Sequence, residues 1–275
     1  MERFGFVGLP NAGKSSLYNA LAGGGALAAP YAFATTDPNE GVARVPDSRL
    51  SLLGEMSDSQ KIVSATIQFT DIGGLVEGAA KGEGLGNRFL AGIREVDAIV
   101  FVLRAFSDND VPGPTDPVEH LRIVEVELAL ADLETTQKQL LKMEKVAKSD
   151  KSIGQILDSL KHASEQLDQG IPIYKSDLTS SERELLSDFF LLTDKPVLAV
   201  VNVGEDQVEE TNQILEPVIA ELPDQEVIGM CVQLESEAAL LTPEEQAEML
   251  EALGLGEGAL ARFVRSAYHL SLIHI

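Results

Sequence analysis

Five short runs rich in β-branched and aromatic residues stand out along the chain: Phe4–Val7, Thr66–Thr70, Ala98–Leu103, Val197–Val201 and Val227–Cys231. Runs of this length, bounded by polar or Gly-containing stretches, read as strands. Each gives way to a loop or to apolar residues at helical spacing, which predicts a doubly wound, mostly parallel α/β sheet. The middle of the chain differs. From about Pro117 to Lys148 there is no internal Gly or Pro, and Leu121, Val124, Leu128 and Ala131 recur at helical spacing. A second periodic stretch, Ile153, Ile156, Leu157, Leu160, Ala163 and Leu167, stops at Gly170 with Pro172 beyond, a helix-end signal. Two long consecutive helices predict a helical hairpin at residues 116–189, inserted into an α/β domain formed by 1–115 and 190–275. Thr179–Glu182 and Thr242–Glu245 fit the capping-box spacing, the second with Pro243 at the first helical position. The Gly/Ala-rich stretch at 22–29 is expected to be a flexible connection.

Composition narrows the function classes. The chain has 275 residues, 44% hydrophobic but only 5% aromatic, without Trp. Its core must come mainly from Leu, Val, Ile and Ala. The formal charge of −23 gives no global attraction for nucleic acid or anionic membrane, so no direct DNA binding is expected. A single cysteine, Cys231, excludes an intrachain disulfide. The amino terminus has no signal-peptide pattern, and no apolar stretch is clean enough for a membrane span. The expected location is the cytoplasm.

The main chemistry lies at residues 8–16, GLPNAGKSS, which match G-x-x-x-x-G-K-[ST]. The motif follows a strand pattern and opens a helical one, the context it requires. A triphosphate concentrates negative charge, and successive main-chain amides at a helix start meet it without bulk. The candidate cage is Asn11, Ala12, Gly13, Lys14, Ser15 and Ser16. Lys14 is the candidate for offsetting β- and γ-phosphate charge, and Ser15 for holding Mg2+. No general base is identified.

Downstream, TDIGG at 70–74 ends a strand pattern and fits D-x-x-G through Asp71 and Gly74. Asp71 is a second candidate Mg2+ contact, and the Gly74 amide a candidate sensor of the γ-phosphate. In the intervening loop, Thr35 is the candidate for the third Mg2+ contact, with Thr36 as the alternative. Leu75 stands where many small GTPases place a water-orienting Gln. Another group must position the water, or hydrolysis waits for a partner or a cation. Asn11 is a candidate ligand for a monovalent cation such as K+.

The base site departs from the GTPase pattern. After the strand PVLAVV comes NVGE at 202–205, where a GTPase carries Asn-Lys-x-Asp. Asn202 is kept, Val203 replaces the Lys that covers the base, and Glu205 replaces the Asp that accepts from guanine N1–H and the 2-amino group. Adenine lacks both donors. A site built for one hydrogen-bonding edge discriminates strongly against the other. These changes weaken the case for GTP without by themselves establishing ATP.

GLPNAGKSS, TTDPNEG, DIGGLVEGAAKGEGLGNRFL and IREVDAIVFVLRAF stand in order along the chain, followed by VELALADLE and NVGED. The set resembles the Obg-like translation-factor GTPases and, within them, the YchF (Obg-like ATPase) family, over essentially the whole chain. The resemblance implies a Ras-like P-loop NTPase fold with an inserted helical hairpin and a C-terminal TGS domain. It implies ATP favoured over GTP, and association with the ribosome or its large subunit. It places Asn202 and Glu205 at the base, with Cys231 and Val232 on the neighbouring base loop. Two departures stand out. The chain ends at AYHLSLIHI, where a TGS domain would begin, so that domain is expected to be absent by C-terminal truncation. The loop SDNDVPGPTDP lacks a His that many relatives carry there, and His120, inside the helical pattern, is expected at the surface.

Lys138, Lys142 and Lys145 share a helical face, with Lys148 and Lys151 close behind. This stripe is either an RNA-phosphate contact or an ordinary solvated face beside Glu134 and Glu144. Three activities stay open from the residues: an ATP-preferring ribosome-linked switch, a true GTPase, or a nucleotide-gated binding module with negligible turnover.

Overall fold

The computed structural model describes residues 2–22, 40–72, 85–108, 113–147 and 151–273. Six strands form one sheet: β1 (Arg3–Val7), β2 (Glu40–Arg44), β3 (Thr66–Asp71), β4 (Ala98–Arg104), β5 (Val197–Asn202) and β6 (Glu226–Met230), in the order β2-β3-β1-β4-β5-β6. β2 alone runs antiparallel to its neighbour. Every residue of β4 and β5 is buried, which explains why both are apolar up to their last residues, Arg104 and Asn202: both faces of a central parallel strand are covered.

The two faces alternate as strand geometry demands. On one, Phe6, Phe69, Val100, Val200 and Ile228 pack against α1 (Lys14–Ala22) and α10 (Ala259–Ile273). Phe6 stacks on Phe69 at 5.4 Å between ring centroids, and Phe263 of α10 lies 5.4 Å from Phe69. On the other face, Ile99, Phe101, Leu103, Ala199 and Val201 meet α3 (Leu85–Glu95), the first half of α4 (Pro117–Ala147) and α7 (Thr211–Glu221). Three strands differ from the periodicity reading, one missing from it and two longer than expected. β2, EGVAR, is a short edge strand with a Gly and two charges. β3 and β5 each extend one residue further, to Asp71 and Asn202, because the ladder continues to the pairs Phe6 with Asp71 and Arg104 with Asn202, although Asp71 and Asn202 are polar.

The expected long helices form. α4 has 31 residues, and α5 (Gly154–Asp168) turns back on it, ending before Gly170 at φ 77°. α4 therefore extends about 46 Å. It serves two cores. Leu121, Val124, Leu128 and Ala131 belong to the sheet-covering cluster, whereas Ala129 packs with Leu160, Ala163 and Leu167 of α5. The return segment is tied to α4 by Asp132, which accepts from Leu192 N at 2.9 Å, Thr193 N at 2.7 Å and Thr193 Oγ1 at 2.7 Å. Both predicted capping boxes are present, at α6 (Ser180–Leu186) and α9 (Pro243–Ala252). The remaining helices are α2 (Arg49–Met56) and α8 (Val232–Ala238). Among the described residues, no helix is long and apolar enough to cross a membrane.

His120 is a correction to the sequence reading. It is only 1% exposed. It occupies the inward side of α4's first turn, its Nε2 within 2.8 Å of Pro114 O and its Nδ1 3.5 Å from Arg104 N. Helical position alone did not reveal that this face is covered by the end of β4.

Candidate nucleotide-binding site

A cleft of about 800 Å3 opens at the carboxyl ends of the strands, lined in part by Asn11, Lys14, Ser15, Asn202, Glu205 and Cys231. In open α/β sheets this is where ligands sit, at the point where strand order reverses. Here β1 leads outward to β3 on one side, and β4 continues on the other.

The loop after β1 is shaped by two glycines. A Cβ on Gly8 would lie 2.3 Å from Val102 O, so only Gly lets the loop leave β1 against β4. Gly13 has φ 98°, and a Cβ there would lie 2.3 Å from Asn202 Nδ2. Asn11 is also left-handed, at φ 62°, a conformation Asn tolerates better than most residues. The helix α1 begins at Lys14, so amides along the loop converge on its positive end.

Lys14 is buried, with Nζ donating to Leu9 O at 2.7 Å and Gly8 O at 3.1 Å. Burial lowers its pKa to about 8, opposed by the nearby Asp71 carboxylate. The ammonium is thus desolvated and held by weak neutral acceptors, a state that a phosphate would improve. Ser15 Oγ donates to Asp71 Oδ2 at 2.6 Å, which brings a hydroxyl and a carboxylate from β3 to one point. Such hard oxygen donors suit Mg2+, which keeps most of its shell as water and phosphate oxygens. No group of three or more His, Cys, Asp or Glu clusters for a metal among the described residues.

At the base end, Asn202 is 6% exposed. Its Nδ2 donates to Ala12 O at 3.1 Å, and its Oδ1 accepts from Val232 N at 3.1 Å. One side chain therefore ties the phosphate loop to the first residue of α8, just after β6. Val203 is buried at the cleft wall, its amide donating to Met230 O at 3.0 Å, and Glu205 is exposed at the rim. Cys231 is buried at the N-cap of α8, where burial raises its thiol pKa.

The structure thus gathers Asn11, Gly13, Lys14, Ser15, Ser16, Asn202, Val203, Glu205 and Cys231 around one cleft. Ala12 lies buried beneath it. Thr35, Thr36, Gly74 and Leu75 lie outside the described residues. Sequence reading missed Phe106 and Asp108 at the end of β4, Asn19 in α1, and Ser236 in α8. Two signals pointed to the first three, and none to Ser236. β4 ends beside β1, so its following loop must face the cleft, and Asn19 is one helical turn beyond Ser15. Phe106 is held in place by the fully buried Arg104, whose guanidinium lies 4.4 Å from the ring centroid and whose Nε donates to Phe106 O at 3.1 Å.

Sheet order, phosphate loop and base loop together define a P-loop NTPase of the GTPase type. A family model described as a 50S ribosome-binding GTPase matches residues 3–203. The chain is 42% identical over 276 aligned residues to a Bacillus subtilis protein named Ribosome-binding ATPase YchF, covering 97% of this chain and 75% of that one. It is 40% identical to the protein of that name from Escherichia coli O157:H7, with the same coverage. The structure of the Schizosaccharomyces pombe YchF GTPase superposes with a TM-score of 0.85 at 32% identity, over 98% of this chain and 75% of that one. The chain belongs to the YchF family.

Proposed function

We propose that the cleft binds ATP in preference to GTP, with Mg2+, and hydrolyses it as a regulatory switch on the ribosome or its large subunit, in the cytoplasm. The observation that carries the nucleotide reading is the pair of hydrogen bonds made by Asn202, which donates to Ala12 O and accepts from Val232 N and so fixes the base loop against the phosphate cage. The base preference rests on Val203 and Glu205, which replace the two residues a guanine site needs. The names of the B. subtilis and E. coli relatives support the ATPase activity and the ribosome as partner. Within the wider GTPase class, the ordered motifs favour the Obg-like group. Residues 116–189 are read as the inserted unit that carries the nucleotide state outward, since α4 spans both cores.

Amides of residues 11–16 and the Lys14 ammonium would bind the β- and γ-phosphates and offset the charge that grows on the bridging oxygen as water attacks the γ-phosphorus. The γ-phosphorus bond to that oxygen breaks, releasing ADP and phosphate. Ser15, Asp71 and Thr35 would hold Mg2+, which when bound supplies further charge stabilisation. The Gly74 amide would sense the γ-phosphate, and Asn202, Val203, Glu205 and Cys231 would surround the base. Asn11 is the proposed contact for K+; equal turnover in potassium and sodium would remove that part. The overall reading is tested by phosphate release from ATP and GTP, with and without ribosomes. The expected result is faster turnover of ATP, abolished in Lys14→Ala. Turnover of neither nucleotide would reduce the protein to a binding module.

A further inference from the structure

The groove between the end of α3, the outer half of α4 and the turn at residues 188–190 takes no part in nucleotide chemistry. Its volume is about 440 Å3, and Arg94, Thr135, Lys138, Lys142, Asp188 and Phe190 are among its lining residues. Phe190 combines two unusual properties. Its backbone is left-handed, at φ 50° and ψ 48°, and its ring is 64% exposed. A bulky residue held in this region of backbone space needs its surroundings to impose it. Core packing is not the reason, because the neighbouring Phe189 is the one that packs against the hairpin cluster.

The turn is held from outside. Arg94 Nη1 donates to Phe190 O at 3.5 Å, and Nη2 donates to Thr135 Oγ1 at 3.2 Å. The guanidinium therefore rests on neutral oxygens while it presents the ring. Lys138 and Lys142 are exposed one turn apart on α4. The opposing acids are Asp188 in the groove, Glu134, which pairs with Lys138 from the preceding turn, and the buried Asp132, which feels the Arg94 charge from beneath. Arg94 and Lys142 thus carry the groove's positive character, in a chain whose net charge is −23.

We propose that this groove binds single-stranded RNA, with a base stacked on Phe190 and flanking phosphates on Arg94 and Lys142. An exposed ring beside cations is the arrangement that unpaired nucleotides use, since every base offers a π-face. A duplex has its bases already stacked, and an acidic peptide would leave the ring without a partner. The proposal rests on the ribosome reading and names the contact within it.

The test measures binding of a labelled oligouridine of about ten nucleotides by fluorescence anisotropy, alongside sedimentation with ribosomes. The variants are Phe190→Ala, Phe190→Leu, Phe190→Trp and Lys142→Glu, each with an ATP titration as a check of the fold. The expected result is a loss of about fivefold or more in RNA affinity for the Ala and Leu variants. Trp should restore it, and Lys142→Glu should weaken binding and flatten its salt dependence. ATP affinity should not move. Wild-type RNA affinity in both the Ala and Leu variants would overturn the proposal. So would an effect on ribosome sedimentation with none on the oligonucleotide, which would indicate a ribosomal protein as the partner. Wild-type protein that fails to sediment with ribosomes would sink the ribosome reading by itself, while the oligonucleotide result still judges the groove.

Discussion

Asn202 Nδ2 donates to Ala12 O at 3.1 Å across 190 residues of sequence, and the same side chain receives Val232 N. The strand end that carries Asn202 thus fixes the distance between the phosphate cage and the base loop before any ligand arrives. Preorganisation of this kind raises affinity by lowering the ordering cost of binding. Replacing Asn202 by Ala removes both bonds and leaves a buried amide and carbonyl unpaired, at about 1–3 kcal/mol each. Nucleotide affinity should fall about tenfold or more, as read by calorimetry, with ATP and GTP weakened together. Loss for one nucleotide only would show that Asn202 acts as a base reader instead.

Gly13 meets the same residue. Its φ of 98° and the 2.3 Å approach of Asn202 Nδ2 leave no room for a methyl group. Gly13→Ala should push Asn202 off Ala12 O and reduce binding at least as much as Asn202→Ala. The double variant should be little worse than Gly13→Ala alone, because both changes break the contact between Asn202 and Ala12 and the backbone strain at residue 13 is already present in the single variant. Additive losses would contradict that coupling.

Lys14 gives a pH signature. Its pKa in the folded protein is lowered to about 8 from an ordinary value of 10.5, chiefly by burial. Between those limits the unfolded chain binds the proton more tightly, so stability of the nucleotide-free protein contributed by this group rises with pH. Nucleotide affinity runs the other way, since only the ammonium form pairs with phosphate. Binding should weaken above pH 8 and take up a proton, measured as a dependence of calorimetric heat on buffer ionisation enthalpy. Lys14→Met should bind weakly with no such dependence.

Much of the fold was legible, and the reasons are particular. β4 and β5 are central parallel strands, so their sequences are apolar up to the last residue of each, Arg104 and Asn202. The phosphate loop is written in consecutive residues because a cage of amides is a local structure. The capping boxes at Thr179 and Thr242 are local for the same cause. What sequence hid depends on contacts distant along the chain. His120 is buried because the end of β4 covers it. Phe106 reaches the cleft because β4 lies beside β1. α10 did carry a signal, Leu260, Phe263, Val264 and Ala267 at helical spacing, and all four are buried on the sheet.

Asp132 is the clearest stability test. Burial raises its pKa to about 6 from 3.8, against the opposing bonds from Thr193 and Leu192. The folded state holds this proton more tightly than the unfolded chain, so the contribution is fully present below about pH 3.8 and is lost as pH rises to about 6. Asp132→Asn should flatten the thermal-stability profile in that window. Asp132→Ala, which leaves three donors without their acceptor, should cost about 2–4 kcal/mol and loosen the return from the hairpin to β5.

The base preference is the central claim, and a calorimetric titration with ATP and GTP in Mg2+ tests it most directly, on wild type and on Val203→Lys/Glu205→Asp. The account predicts tighter binding of ATP by wild type, and a shift toward GTP of about tenfold or more in the double variant. Equal or tighter binding of GTP by wild type, or no heat from either nucleotide, would contradict it.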